Sequence, residues 1–240
     1  MNNILTQNTS STPSDFLVKK PAYIFHHLMK CGGTSIVSIL EKWFCMIYDY
    51  HLVVDVPDEY YKRRVCVENL TSDHCIVGHY HQDGMFVFQR YPEIITRQKE
   101  IKCFTFIRNP LNFFLSFYYY SREVGRMDKS LQEFINSNKN LMAYYLGCEE
   151  GNYKEVLDKY FFIGITEEIQ NSMDILAGLI DKPKITVPFK NKSLKDDQVS
   201  LLIPEFIEKF RNENELDYNI YEYSKMKFSN AHSALDRVVS

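Results

Sequence analysis

Tyr23-Ile24-Phe25-His26-His27-Leu28-Met29-Lys30-Cys31-Gly32-Gly33-Thr34-Ser35 decides the reading of this chain. An apolar run suited to a buried strand leads into a lysine, a Gly-Gly turn and two hydroxyls that open a helix. That order builds a cradle for phosphate. Two glycines let the backbone bend sharply and bring its N–H groups close to an anion. Thr34 and Ser35 add hydroxyl donors at a helix N-terminus, where the dipole favours negative charge. Lys30 stands on the rim as a mobile point charge. This is not a Walker A loop, in which the lysine follows the glycines and is itself followed by Ser or Thr.

The chain has 240 residues, enough for one large domain and its core. Residues 1–18 read as a flexible leader and 19–240 as a single domain. The formal charge of −3 provides no global basic field for nucleic acid, so any anion site is local. Glycine is scarce, at 9 residues, which makes a Gly-Gly pair at a strand-to-helix junction informative. The cysteines at 31, 45, 66, 75, 103 and 148 form no C-x-x-C pair, and several lie in apolar runs that suit reduced, buried thiols. No metal-ligand spacing appears. The polar N-terminus lacks the basic start and apolar core of a secretory signal. No run approaches the roughly 18 apolar residues of a membrane span. The expected location is the cytoplasm.

Along the chain, 22–28 reads as a central parallel strand. His26 and His27 lie within it and are read as structural. Ile36, Ile39, Leu40 and Trp43 recur at helical spacing, which predicts a helix over 34–44. A second strand is expected over 45–54 and a helix over 58–70. His74 to His79 is a short apolar strand ending in Gly-His. A short helix over 92–99 precedes a strand over 102–107. Pro110 then starts an aromatic helix, 111–122. One or two helices are expected over 130–147 and a strand over 160–164. Thr166 is placed as the N-cap of a helix to about 180, with Glu167 as an acid of its first turn. A last strand over 183–188 and helices over 196–210 and 214–227 complete the chain. Strands alternating with helices indicate an α/β fold with a mostly parallel sheet.

In such folds ligands sit at the carboxyl ends of the strands. Three polar clusters fall at strand exits: 30–35, 78–81 and 108–116. Arg108 offers a planar fork to phosphate, and Ser116 can add a hydroxyl along the next helix. A second anion site opposite the Gly-Gly cradle implies a ligand with two separated phosphates.

Lys30-Cys31-Gly32-Gly33-Thr34-Ser35 resembles the 5'-phosphosulfate loop of sulfotransferases that use 3'-phosphoadenosine 5'-phosphosulfate (PAPS). In the carbohydrate branch, which includes the heparan sulfate 2-O-sulfotransferases, that loop commonly reads K-x-G-G-T-S. Phe104 to Pro110, with Phe114-Leu115-Ser116-Phe117-Tyr118-Tyr119, resembles the branch's 3'-phosphate motif, often R-D-P-x-x-R-x-x-S-x-Y. Val77-Gly78-His79 resembles its catalytic Gly-His segment. Phe162 to Glu167 is similar to V-G-x-T-E, and Asn191-Lys192-Ser193 to N-K-S. Asp217 to Phe228 is similar to the closing helix. The segments keep family order from residue 23 to about 228. Asn109 stands where aspartate is common, and Asn112–Phe113 lacks a frequent arginine. The chain is shorter than the animal Golgi enzymes and lacks their anchor, as a bacterial-type soluble member would.

The resemblance implies a P-loop-NTPase-like three-layer α/β fold around a central, mostly parallel sheet. It implies sulfonyl transfer from PAPS, without a metal, to a hydroxyl acceptor: a carbohydrate, a glycoconjugate or a small natural product. Lys30 would neutralise charge on the bridging oxygen. Cys31, Gly32, Gly33, Thr34 and Ser35 would hold the 5'-phosphate. Arg108 and Ser116 would hold the 3'-phosphate, with Asn191 and Lys192 also touching the nucleotide. His79 would be the general base, with His81 its rival. Two alternatives stay open: a family member that binds the nucleotide without catalysis, and a nucleoside or sugar kinase. The missing Walker lysine order weighs against the kinase.

Overall fold

Ala22–His26 is strand β1 of the computed structural model, and all five of its residues are buried. Complete burial means both faces of the strand are covered, as in a parallel sheet with helices on each side. The structure describes residues 20–50, 63–81, 85–188 and 203–239. The expected leader and the N-K-S segment, with Asn191 and Lys192, lie outside them.

β1 leads through a turn into helix α1, Gly33–Trp43, whose Ile36, Ile39, Leu40 and Trp43 are buried. Strand β2, Cys45–Tyr48, follows directly. Strand β3 is His74–Gly78. Two single-turn helices, α2 (Val87–Arg90) and α3 (Glu93–Thr96), precede strand β4, Ile101–Ile107. Helix α4 is Pro110–Glu123. Then come α5 (Leu131–Ser137), α6 (Leu141–Leu146), α7 (Tyr153–Asp158), strand β5 (Phe162–Ile165), α8 (Ile169–Leu179), α9 (Pro204–Glu213) and α10 (Glu215–Val239). The sheet runs β2-β3-β1-β4-β5, and every pairing is parallel. This is the α/β architecture that the strand–helix alternation predicts. β1 is central, flanked by β3 and β4, with His26 level with both Gly78 and Thr105.

Two devices hold strand exits in place, and a third caps a helix. Asp49, just past β2, accepts Nε and Nη2 of Arg90 at 2.7 Å each and the Tyr91 hydroxyl at 2.5 Å, all buried. The bidentate geometry satisfies a charge that would be costly to bury alone. Asn109 caps α4: its Oδ1 accepts the N–H groups of Leu111 and Asn112 at 3.1 and 3.4 Å. Pro110 sits at the first position, where its missing N–H costs nothing. Asp217 of α10 accepts the Met142 and Ala143 N–H groups at 3.0 and 2.8 Å and so caps α6 from a distance. Burial raises its carboxyl to about 7, against the pull of those two bonds.

Some expected elements take other forms. Residues 183–188 are not a strand. Two prolines remove ladder donors, and the Val187 N–H is bonded to the Gln170 side chain at 2.8 Å. The segment lies along α1 instead, where Pro183 and Pro188 carbonyls accept from Trp43 and Ser35. Of the helix expected over 58–70, the described part holds only a 3-10 turn, Val67–Asn69. Val65 and Val67 are β-branched and resist helix packing, and Arg64 is drawn away to Glu93. The 92–99 helix is reduced to the single turn of α3. Thr166 does not cap a helix. Its hydroxyl donates to the Ile107 carbonyl at 2.8 Å, a 3-10 turn covers Thr166–Glu168, and α8 begins at Ile169.

Candidate active site

The cradle forms where β1 ends. Lys30 and Gly32 both take left-handed backbone, with φ 63 and φ 78. Glycine adopts that region freely; a lysine does so at a cost. Gly32 is the N-cap of α1, with no side chain capping the helix. Its carbonyl accepts the N–H groups of Ser35 and Ile36 at 3.0 and 3.2 Å. The N–H groups of Gly33 and Thr34 therefore open the helix, at the positions where an α-helix leaves its first donors to an outside partner. Thr34 is exposed at the mouth. Cys31 turns inward and is buried, which pushes its thiol far up, so its contribution to the cradle is its main chain. Ser35 is buried as well, and its hydroxyl donates to the Pro188 carbonyl at 2.9 Å.

Gly33 is required by a close approach. A Cβ there would lie 1.6 Å from His27 Nε2. His27 packs directly on the cradle, its Nδ1 paired with the Tyr50 hydroxyl at 2.8 Å. Burial, with the charges of His79 and Lys30 adding, pushes His27 down to about 3, so the ring is neutral. Gly33→Ala should force the ring away and break the Tyr50 pair. The expected cost is about 1–3 kcal/mol of overpacking, read as a thermal midpoint lowered by about 3–10 °C. A variant melting with the wild type would mean the contact is not tight.

His79 follows β3. Its Nδ1 lies 2.5 Å from the His27 carbonyl, an oxygen that can only accept. The proton therefore sits on Nδ1, and Nε2 carries the lone pair. Burial holds the imidazole below its usual range, and the carbonyl bond pulls the other way. The ring lies 4.4 Å from His27 and 4.8 Å from Tyr50, centroid to centroid. His81 stands 6.1 Å further along and meets Tyr145 at 5.0 Å. Gly78 is also dictated by its surroundings: a Cβ would lie 2.3 Å from the Asp49 carbonyl. His26, by contrast, is buried with Nδ1 on the Tyr160 hydroxyl at 2.6 Å, a structural histidine.

Arg108 follows β4 on the other side of β1. Its Nη1 reaches the Lys30 carbonyl at 3.4 Å, which joins the two strand exits. The turn after it is braced by Glu167, whose carboxylate accepts the Asn109 N–H at 2.8 Å and the Tyr221 hydroxyl at 3.3 Å. Ser116 lies about two turns into α4 and is buried. The Lys30 ammonium rests over the Tyr120 ring, 3.8 Å from its centroid.

The structure thus brings together Lys30 to Ser35, His79 and Arg108. His27, Tyr50 and Tyr120 are additions that no motif in the sequence marked, and Glu167, which closes the segment similar to V-G-x-T-E, gains a bracing role that the motif did not reveal. His27 reads as one more apolar-strand histidine until the chain is folded. Among the described residues, no cluster of three His, Cys, Asp or Glu is placed to hold a metal ion, and no helix is long and apolar enough to cross a membrane.

No family model matches the sequence, and no curated protein does. The fold has solved counterparts. A sulfotransferase from Alicyclobacillus acidocaldarius superposes with a TM-score of 0.51 at 13% identity, over 88% of this chain and 97% of that one. Mouse sulfotransferase SULT7A1 complexed with PAP gives a TM-score of 0.48 at 11% identity, over 85% and 89%. The chain shares its parallel-sheet α/β fold with the bacterial sulfotransferase.

Proposed function

We propose that this chain transfers a sulfonyl group from PAPS to an acceptor hydroxyl. The observation that carries the reading is the sheet order. It sets the β1 cradle between the β3 exit with His79 and the β4 exit with Arg108. A base, a phosphate cradle and a second cation then stand side by side, in the order that a bisphosphorylated sulfonyl donor needs. The residues fit that donor: His27 can pack against the cradle only because Gly33 lacks a Cβ, and Arg108 already bonds the loop it would share with the ligand.

In this reading the main-chain N–H groups of Gly33 and Thr34, with the Thr34 hydroxyl, hold the 5'-phosphate. Cys31 and Gly32 contribute backbone, and Ser35 ties the cradle to the 183–188 segment. Arg108 and Ser116 hold the 3'-phosphate. His79 Nε2 takes the acceptor proton as the acceptor oxygen attacks sulfur. The bond from sulfur to the bridging oxygen breaks, and Lys30 meets the charge that develops there. Preorganised donors of this kind usually supply most of the rate enhancement in group transfer.

The acceptor we favour is a carbohydrate or glycoconjugate hydroxyl. The motif resemblance supports this, and the part-buried rings of Tyr50 and His81 beside His79 are flat groups against which a pyranose can pack. The net charge of −3 speaks against a long polyanionic glycan.

Calorimetry separates this reading from a kinase. The product nucleotide, 3'-phosphoadenosine 5'-phosphate, should bind at least about tenfold more tightly than ATP or 5'-AMP, a gap of ~1.4 kcal/mol. Tighter binding of ATP would overturn the donor assignment. Radiolabelled transfer from PAPS into neutral oligosaccharides then separates an enzyme from a nucleotide-binding protein.

A further inference from the structure

Tyr120 lies on α4 one helical turn beyond Ser116, so the two side chains share a face of that helix. Ser116 is buried, whereas Tyr120 keeps 41% of its surface exposed. Phe113, Phe114 and Tyr118 of the same helix bury their rings in the core. Tyr120 turns its ring to Lys30 instead. The ammonium sits 3.8 Å from the ring centroid, well inside cation–π reach. Lys30 itself has φ 63, a left-handed backbone that lysine seldom takes, and its carbonyl accepts from Arg108. Main chain and side chain of Lys30 are both held by the β4–α4 unit, not only by the cradle loop.

We propose that Tyr120 is a positioning residue that holds the Lys30 ammonium over the gap between the cradle and the Arg108–Ser116 pair. The proposal rests on the donor reading of the preceding section. A lysine side chain has several rotatable bonds and loses much freedom when it is fixed in one place. A ring face supplies the restraint without a counter-charge. A carboxylate in the same position would neutralise the ammonium and compete with the phosphosulfate. The π face leaves the positive charge intact and yields it to the stronger anion when the donor arrives. The restraint comes from the ring, and the phenolic hydroxyl is dispensable.

Two measurements on the full chain test the idea. In ligand-free protein carrying isotope-labelled lysine, the Lys30 ε-methylene resonance is identified by its loss in Lys30→Ala. It should lie upfield through the Tyr120 ring current, stay there in Tyr120→Phe, and return to the ordinary lysine position in Tyr120→Leu. An ordinary position in the wild type overturns the proposal, whether or not the chain is active. In turnover, Tyr120→Phe should match the wild type, while Tyr120→Leu lowers kcat about fivefold, ~1 kcal/mol at 1.36 kcal/mol per decade. Affinity for the product nucleotide should not change, because that nucleotide lacks the bond Lys30 serves. In a Lys30→Ala background, Tyr120→Leu should have no further effect. A loss that persists there marks a structural role and overturns the proposal. A shifted resonance in a wild type that transfers no sulfonyl group sinks the reaction of the preceding section. Transfer by Tyr120→Leu at the wild-type rate sinks the role of Tyr120.

Discussion

Replacing His79 with alanine should lower kcat for sulfonyl transfer about 10²–10⁴-fold, the span that a positioned general base contributes. Binding of 3'-phosphoadenosine 5'-phosphate should be unaffected, since the role proposed for the imidazole lies on the acceptor side. The atom that acts follows from the tautomer. The bond from Nδ1 to the His27 carbonyl leaves the Nε2 lone pair as the group that can take a proton. The same geometry sets the pH response. Burial holds His79 below its usual range, so the imidazole is already neutral at pH 7. The acid limb of kcat/KM should therefore fall at a pH below the ordinary histidine value of about 6.5. In His79→Ala that limb should vanish with the activity. Turnover within tenfold of wild type would remove His79 as the base and direct attention to His81. His79 is only half-buried, so a loss of activity without a change in melting separates chemistry from folding.

Lys30→Ala should lower kcat about 10²–10³-fold, the effect of deleting one preorganised group that faces developing charge. It should also raise the donor KM, because in the proposed reading the ammonium would face the donor in the ground state as well. Lys30→Arg should restore little. A guanidinium is a planar fork where the site is built for a point charge on a flexible stem, and it would crowd the Tyr120 ring. Lys30→Gly is the informative control. Glycine takes φ 63 without strain, so it isolates the loss of the ammonium from the backbone cost that alanine would bear. Equal rates for Lys30→Ala and the wild type would sink the assigned role at the bridging oxygen.

Much of the architecture was legible because it rests on local signals. The apolar run before Lys30, the 3–4 spacing of Ile36, Ile39, Leu40 and Trp43, and the Asn109–Pro110 start of α4 each act within one turn or one strand. Those positions carry the sheet and the helices that flank it. The misses share a cause as well. Residues 183–188 have a strand-like pattern, but Val187 finds its partner in a side chain of α8, 17 residues back along the chain. Thr166 has the chemistry of an N-cap, yet its hydroxyl is turned to the Ile107 carbonyl on the neighbouring strand. In both cases a distant partner displaced the local one.

For the site, the sequence by itself determined the parts: a glycine cradle with its lysine ahead of the turn, a Gly-His at one strand exit, and an arginine at another. Side-chain chemistry and backbone freedom are properties of the residue and its neighbours, so they can be read in order. The tertiary structure alone decided how the parts meet. It put His79 against the His27 carbonyl across 52 positions and Arg108 against the Lys30 carbonyl across 78. It placed His27 under Gly33, which turns a permissive turn residue into an obligatory one. It also set Lys30 on Tyr120. Contacts of that length depend on which strands become neighbours, and no local pattern encodes the order β2-β3-β1-β4-β5.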